Sequence, residues 1–517
     1  MRLRAVAARH PRALVSDEHP RSLGALIARQ SQRFGATSYL LRLRSTDVVS
    51  FEDLARAMDW WSERLRELDL RSGDRVGLLI RDPLEFARAF LSIIACGLWV
   101  APLDPTMSPI NVEALNARLH RLGVDTVISD RERPGAVIAN WHDVGTEPLA
   151  RPPSGSPQIN AGGVILASSG TTGTPKVMAL PAAQLLHTAE LIAAHNQLTP
   201  ADRGLNPLPL WHINAEVVGL LASLVAGSSL VLDERFHRTD FWALADQYKV
   251  TWINAVPAII ARLSNLHESE VIAQRIRFVR SASAPLSPAV LAHFQSTIGI
   301  PVIESYGMTE AASQISANPL DGERRPGSAG VPVGVELRIA PFPEDESDPT
   351  VSATNVGHVE IRGPSVITRY ESAGYEDRFS VDGWLRTGDL GYLDEDGYLY
   401  LVGRSDDVIN RGGEKIFPRE LEDAILGVEA VRGVAVIALP DDVFGEVPTA
   451  YVELADDCDH DFVLSQLRDV VTTGFPKTHW PVSFTVVAQL PAHATGKIQK
   501  HRLTSEPLEV IIRKDIR

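Results

Sequence analysis

Residues 83–99 carry Leu84, Ala87, Leu91, Ile94 and Leu98 at spacings of three and four, with more polar positions between them. That period puts all five on one face of a helix. Just before it, residues 75–80 (Arg-Val-Gly-Leu-Leu-Ile) form a short apolar run of the kind that makes a buried strand. The same alternation continues along the chain. Residues 228–232, 250–256, 276–281 and 300–305 read as strands, and 182–198, 241–249, 257–266 and 287–298 as helices. Pro181, Pro257 and Pro288 stand near helix starts, where a missing N–H costs little. Strands alternating with helices predict α/β layers around a mostly parallel sheet.

After about residue 330 the rhythm shortens. Asp382-Gly383, Asp396-Gly397 and Gly403 mark turns between short strands, which predicts a β-rich lobe. Residues 341–355 are rich in Pro, Glu, Asp, Ser and Thr and read as an exposed loop. A small α+β pattern then restarts. Leu421, Ile425 and Val428 share one face of a helix over 419–428, and 461–473 is a second helix. Strands are expected at 431–439, 449–454 and 482–488. The charged stretch Arg404–Asp407, after an apolar strand, is the expected boundary between a domain of residues 1–404 and one of 405–517.

Composition narrows the function. The chain has 517 residues, 44% hydrophobic and 22% charged, enough to bury a large core. A net charge of −15 argues against a general nucleic-acid or anionic-membrane surface. No apolar run is long enough to span a membrane, and the arginines at 2, 4, 9 and 12 lack the apolar core of a signal peptide. With two cysteines, Cys96 and Cys458, and no paired Cys/His motif, a reducing cytoplasmic setting is expected.

Candidate chemistry gathers at strand ends. After the apolar run Val164–Ala167 comes Ser168-Ser169-Gly170-Thr171-Thr172-Gly173-Thr174-Pro175-Lys176. Gly170 and Gly173 let backbone approach a ligand, successive N–H groups form an anion nest, and hydroxyls and Lys176 add donors. A generic Gly/Ser/Thr cluster is a flexible surface loop; its place directly after a buried strand favours a polyphosphate cradle. It is not the common P-loop, which needs Ser or Thr directly after the lysine. Ser305-Tyr306-Gly307-Met308-Thr309-Glu310 follows another strand. There Tyr306 could stack on a base, Thr309 donate to a phosphate and Glu310 hold Mg²⁺. Asp389, in Thr387-Gly388-Asp389, could accept from ribose hydroxyls. Charge packs around glycines at Gly403–Asp407 and Arg411–Lys415, and Thr495-Gly496-Lys497 offers a lysine beside glycine. Taken singly, each of these reads equally as a solvated turn.

Together, from about residue 20 to about 505, these strings resemble the superfamily of adenylate-forming enzymes: acyl- and aryl-CoA synthetases, adenylation domains of peptide synthetases and beetle luciferases. The resemblance implies a large N-terminal domain with a β-rich lobe and a small mobile α+β C-terminal domain. It implies that Ser168–Lys176 binds phosphates, that Tyr306, with Gly307, stacks on adenine, that Thr309 contacts the α-phosphate, and that Glu310 ligates Mg²⁺. Asp389 and Arg404 match ribose positions, Asp406 the hinge, and Lys497 the lysine that bridges carboxylate and phosphate. His212, in Leu210-Trp211-His212, matches an aromatic–His pair at the acyl pocket, and Gly412 and Gly413 match a segment lining the pantetheine tunnel.

The sequence departs from many relatives at Ser281-Ala282-Ser283-Ala284, where two glycines are common. These residues are expected between adenine and the acyl pocket, with Ser283 on the nucleotide side and Ala282, Ile213 and Asn214 on the acid side. Each added Cβ takes space, which favours a compact acid. Asn214 reads either as a polar group in that pocket or as a helix N-cap. The leading expectation is a ligase that joins a small carboxylic acid to CoA, using ATP with Mg²⁺ and releasing AMP and pyrophosphate. The competing readings are loading of a separate carrier protein, and a non-catalytic nucleotide-binding regulator.

Overall fold

The computed structural model describes residues 22–105, 112–130, 140–143, 162–168, 176–265, 274–342, 355–455, 458–492 and 498–516. Apolar strands and amphipathic helices alternate as the pattern predicts, and they build layers of helix on sheet. One sheet has six strands, ordered Asn140–Asp143, Thr126–Ser129, Arg75–Leu79, Trp99–Pro102, Gly163–Ser168 and Lys176–Pro181. Only its last pair is antiparallel. A second sheet has nine strands. Its central run, Val302–Tyr306, Phe278–Ser281, Trp252–Ala255, Arg203–Asn206, Ser229–Leu232 and Ser38–Arg42, is parallel throughout. Strands buried on both faces read as continuous apolar runs, which is why 228–232, 250–256, 276–281 and 300–305 were legible as strands, while Arg203–Asn206 and Ser38–Arg42 were not named. Trp252 and Phe278 stack at 6.0 Å between centroids on neighbouring strands of this sheet, both fully buried. Burying such a ring contributes about 2–3 kcal/mol.

Helices start and stop where local chemistry says. Asp82 caps Pro83–Ala95 by accepting from the N–H groups of Leu84 and Glu85, and Ser50 with Asp53 forms a capping box for Phe51–Glu67. Pro257 and Pro288 open their helices. The β-rich lobe is an antiparallel sheet of Glu336–Ala340, Gly357–Arg362, Leu385–Leu393 and Leu399–Arg404.

Residues from Ile409 onward build a six-stranded sheet with the helices Pro418–Leu426 and His460–Gly474, around a core of their own that includes Ile409, Leu421, Leu467 and Phe484. This unit touches the lobe through Arg419, which donates to the carbonyl of Leu401 at 2.8 Å, and through Lys415, whose ammonium lies 3.8 Å from the Phe342 ring centroid.

Among the elements that the sequence reading did not name, three bear on the architecture. Lys176–Pro181 is a strand that turns back antiparallel onto Gly163–Ser168. Ala215–Leu221 is a π-helix rather than part of an α-helix. Val510–Asp515 adds a final strand. None of the three alters the period of apolar residues enough to be seen in it.

Candidate active site

In open parallel sheets, ligands bind beyond the carboxyl ends of the strands. Three strands of the nine-stranded sheet, the last two of them adjacent, run into polar segments at that edge. Arg203–Asn206 leads to His212–Asn214, Phe278–Ser281 to Ala282 and Ser283, and Val302–Tyr306 to Gly307–Glu310.

The loop after Tyr306 is folded tightly on itself. The N–H of Ile315 donates to the Tyr306 carbonyl at 2.8 Å, and that of Ser313 to the Met308 carbonyl at 3.1 Å. A Cβ on Gly307 would lie 1.4 Å from the Ser313 carbonyl oxygen, so only glycine fits. The loop turns through Thr309–Ala311 and buries Glu310, whose carboxylate accepts from the Tyr370 hydroxyl at 2.9 Å. Lys176 sits buried against the same group. Its Nζ lies 5.6 Å from the Tyr370 ring centroid and 5.1 Å from that of Tyr375. Burial pulls the Lys176 pKa down, Arg378 pulls it further, and Glu310 opposes them. Lys176 is held in place across the strand pair by Ser168, its register partner.

A second group joins the parallel sheet to the β-rich lobe. The Tyr306 hydroxyl donates to Oδ2 of Asp389 at 2.5 Å, and Arg404 approaches Oδ1 at 3.4 Å. Asp389 and Arg404 are register partners on adjacent antiparallel strands, so the pairing follows from the ladder. Burial, then Asp389, pushes the Tyr306 pKa well above 10, so the phenol stays a donor. Gly388, at φ +86°, leaves room for two guanidinium groups: a Cβ there would meet Arg378 at 2.7 Å and Arg404 at 2.9 Å. The buried Nε of Arg404 has no partner among the described residues. Asp406 lies on the short turn Ser405–Asp407, within the electrostatic reach of both Lys176 and Arg404. Ser405 ties that turn to the Gly388 carbonyl at 3.1 Å.

These residues form a cationic rim with one buried carboxylate at Glu310 and an acceptor at Asp389. A carboxylate offers about four lone-pair sites. Two on Asp389 are used, which leaves acceptor capacity for a ligand diol. Among the described residues, no group of three or more His, Cys, Asp and Glu side chains gathers as a metal site. A lone buried carboxylate among the cations Lys176, Arg378 and Arg404 fits magnesium that arrives on a nucleotide, since such magnesium takes one or two carboxylates plus phosphate oxygens.

The residues expected on the acid side join a polar network. Asn214 is not a helix cap: it has φ −61° and ψ −49°, and its side chain makes no capping bond. Asn214 already lies inside the helical turn that starts at Ile213, and its carboxamide turns inward. There Nδ2 donates to Ser283 Oγ at 3.2 Å, while Oδ1 accepts from Asn254 at 3.0 Å and Arg280 at 3.4 Å. Asn254 also donates to Asn206 at 2.9 Å, and Arg280 to Gln314 Oε1 at 3.2 Å. Ser283 is exposed at φ +73°, and Ala282 is buried. Ile213 packs on the main core, and the rings of Trp211 and His212 lie 6.1 Å apart.

Several of the predicted residues are not joined to this group. Gly412 and Gly413 form the turn of a hairpin in the C-terminal unit, at φ +59° and +91°, and the neighbouring side chain is Phe444. Ser169, Gly170, Thr171, Thr172, Gly173 and Lys497 lie outside the described residues, as does the side chain of Ser168. Tyr370, Tyr375, Arg378 and Arg280 escaped the sequence reading. Only Arg280 carried a signal there, as a charge inside an apolar strand.

The fold and this cluster define a nucleotide-dependent enzyme with a large α/β domain and a small C-terminal domain. The AMP-binding enzyme family matches residues 27–371, and its C-terminal domain matches 420–497. The chain belongs to this family of adenylate-forming enzymes. It is 35% identical to the sulfoacetate–CoA ligase of Cupriavidus necator, over 93% of this chain and 97% of that one. It is 32% identical to the oxalate–CoA ligase of Arabidopsis thaliana, over 87% and 91%. The o-succinylbenzoate–CoA synthetase of Bacillus subtilis, solved with its acyl-adenylate intermediate, superposes with a TM-score of 0.80 at 28% identity, covering 94% of this chain and 98% of that one. The chain is an AMP-forming acid–CoA ligase for a small acid: it adenylates the acid and then forms the CoA thioester. No helix among the described residues is long and apolar enough to cross a membrane.

Proposed function

We propose that the cluster described above is the adenylation site and that its residues divide the work as follows. The adenine of ATP lies against Tyr306 and Gly307, with Ser283 beside it. The ribose hydroxyls donate to Asp389, and Arg404 holds the same carboxylate from the other side. Thr309 donates to the α-phosphate. Lys176 and the loop Ser168–Gly173 take the β- and γ-phosphates. Glu310 would hold the magnesium carried by the nucleotide, and that ion supplies charge neutralisation on the phosphates.

The acid lies beside His212, Ile213, Asn214 and Ala282. One carboxylate oxygen attacks the α-phosphorus, the bond to the bridging oxygen breaks, and pyrophosphate leaves. The protein contributes position and charge rather than covalent chemistry. Lys497 offsets the negative charge that builds between the attacking oxygen and phosphorus. The product is a mixed anhydride, and a thiol displaces AMP from its carbonyl carbon. The second step needs different groups. A rotation of residues 405–517 about Asp406 exchanges Lys497 for the Gly412–Gly413 turn, which lines the path of the pantetheine. Separate cores on the two sides of Asp406 favour such a rotation. Two unpaired cysteines, Cys96 and Cys458, suit a cytosolic setting.

The observation that carries this reading is the joining of Tyr306, Asp389 and Arg404 to Lys176 and Glu310 at one sheet edge. The acids named for the relatives, sulfoacetate, oxalate and 2-succinylbenzoate, are compact, and each carries two acidic groups. The test is mass spectrometry of products from ATP, Mg²⁺ and a panel of acids, with and without CoA. An acyl-CoA made only with CoA present, together with AMP, supports the reading. An acyl-adenylate that never passes to CoA points to a carrier protein. Absence of AMP with every acid overturns the assignment.

A further inference from the structure

Arg280 occupies the centre of the nine-stranded sheet, between the parallel strands Trp252–Ala255 and Val302–Tyr306. It is 1% exposed, yet no carboxylate pairs with it among the described residues. Its partners are two neutral amide oxygens, on Asn214 and Gln314. These use two of the five N–H donors of a guanidinium. Burial alone lowers its pKa to about 9, which leaves it charged at neutral pH. A buried charge without a counter-ion is among the costliest features a fold can carry. A mere spacer at this point of an apolar strand would be Met or Leu.

The position of the charge explains it. Asn214 is two residues from His212, and Gln314 closes the loop that carries Tyr306, Thr309 and Glu310. Ser283 is exposed, Asn214 is bonded behind it, and Arg280 is bonded behind Asn214. An acid seated beside Asn214 therefore stands one amide away from an uncompensated cation. A small acid with a second negative group meets repulsion from ATP as its reacting carboxylate nears the α-phosphate. A cation at the far end of the acid offsets that repulsion, and a planar guanidinium matches a carboxylate or sulfonate in two-point geometry.

Resting on the ligase reading above, we infer that Arg280 recognises a second anionic group, carboxylate or sulfonate, at the distal end of the acid, so that the substrate is a short dianion. That group takes the place of the Asn214 amide oxygen on the guanidinium. Arg280 is a specificity-determining residue, and Asn214 positions it.

The test compares AMP release in the presence of ATP, Mg²⁺ and CoA for malonate, sulfoacetate and the neutral-tailed propionate. Wild-type enzyme is expected to favour a dianion by at least about 100-fold in kcat/KM. The two dianions separate a carboxylate site from a sulfonate site. Arg280→Met is expected to bring the preference to within about 3-fold while still making propionyl-CoA. Gln314→Glu, which gives Arg280 a built-in counter-ion, is expected to raise Tm and abolish the preference, and it tests the idea if the methionine variant does not fold. A wild-type enzyme that takes propionate as well as the dianions overturns the inference and leaves the ligase reading standing. So does a dianion preference that survives Gln314→Glu. Absence of AMP with all three acids and with the wider panel overturns both.

Discussion

The hydroxyl of Tyr306 donates to the carboxylate of Asp389 across 2.5 Å, although 82 residues lie between them in the chain. The bond joins the end of a parallel strand to the middle of an antiparallel one, and so closes the β-rich lobe onto the sheet edge. Tyr306→Phe keeps the ring and removes the donor. A hydrogen bond to a charged group contributes about 1.5–3 kcal/mol. The expected outcome is a lower Tm and a KM for ATP raised about 10-fold, with kcat less affected, because the ring proposed to stack on adenine is kept. Thermal denaturation and initial rates check this together. An unchanged KM would mean that Asp389 does not depend on Tyr306 to present itself to ribose.

Gly307→Ala acts through space rather than conformation. The new Cβ would fall on the Ser313 carbonyl, a backbone atom that cannot swing away. The loop Gly307–Ser313 must open, which displaces Thr309 and releases Glu310 from Tyr370. A destabilisation on the order of 3 kcal/mol is expected, together with loss of ATP-dependent protection in thermal shift. A variant with normal ATP-dependent protection would contradict the role given to this loop.

The role proposed for Lys497 predicts that the two half-reactions separate. Lys497→Ala is expected to slow adenylation by about 100-fold or more and to leave thiolation of a supplied acyl-adenylate within about 3-fold of wild type. Single-turnover measurements of each half-reaction decide it. Equal loss in both would falsify the assignment.

Glu304 links pH to stability. It is buried near the C-terminal unit, and burial raises its pKa from 4.5 to about 7, with smaller effects from the Gly327 N–H, Arg419 and Asp423. The folded state therefore holds a proton that the unfolded chain has released between these values. Its contribution is fully present below about pH 4.5 and is lost as pH rises through 7. The shift corresponds to about 3 kcal/mol. Glu304→Gln keeps an acceptor for Gly327 and removes the ionisation. Its Tm is expected to exceed that of wild type at pH 8 and to match it at pH 5. Equal Tm values at pH 8 would show that Glu304 ionises without cost.

Much of the site was legible before any coordinates. A buried strand followed by Gly, Ser, Thr and Lys suggests phosphate chemistry because backbone N–H groups, small residues and a cation are what an anion requires, and of that string only Lys176 has its side chain among the described residues. Tyr306, Thr309, Glu310, Asp389 and Arg404 fall at strand ends that periodicity alone locates. Tyr370 and Tyr375 were not legible, since an aromatic in a loop gives no sign of the lysine it will cover. Asn214 stayed open between cap and pocket because capping and inward-facing asparagines share the same local sequence, and the choice between them lies in backbone angles.

Local rules that act over a few residues, namely periodicity, caps, turns and nest-forming strings, settle the alternation of elements and the kinds of chemistry they carry. Which side chains face one another depends on sheet order and register, and these are set by contacts between residues tens to hundreds of positions apart. Asp389 meets Arg404 through an antiparallel ladder, and Tyr306 through packing of lobe on sheet. Arg280 is an arginine in a strand until the fold surrounds it with amides and withholds a counter-ion. Burial and the absence of a partner are properties of three-dimensional neighbours, and they turn an ordinary charge into a determinant of which acid enters.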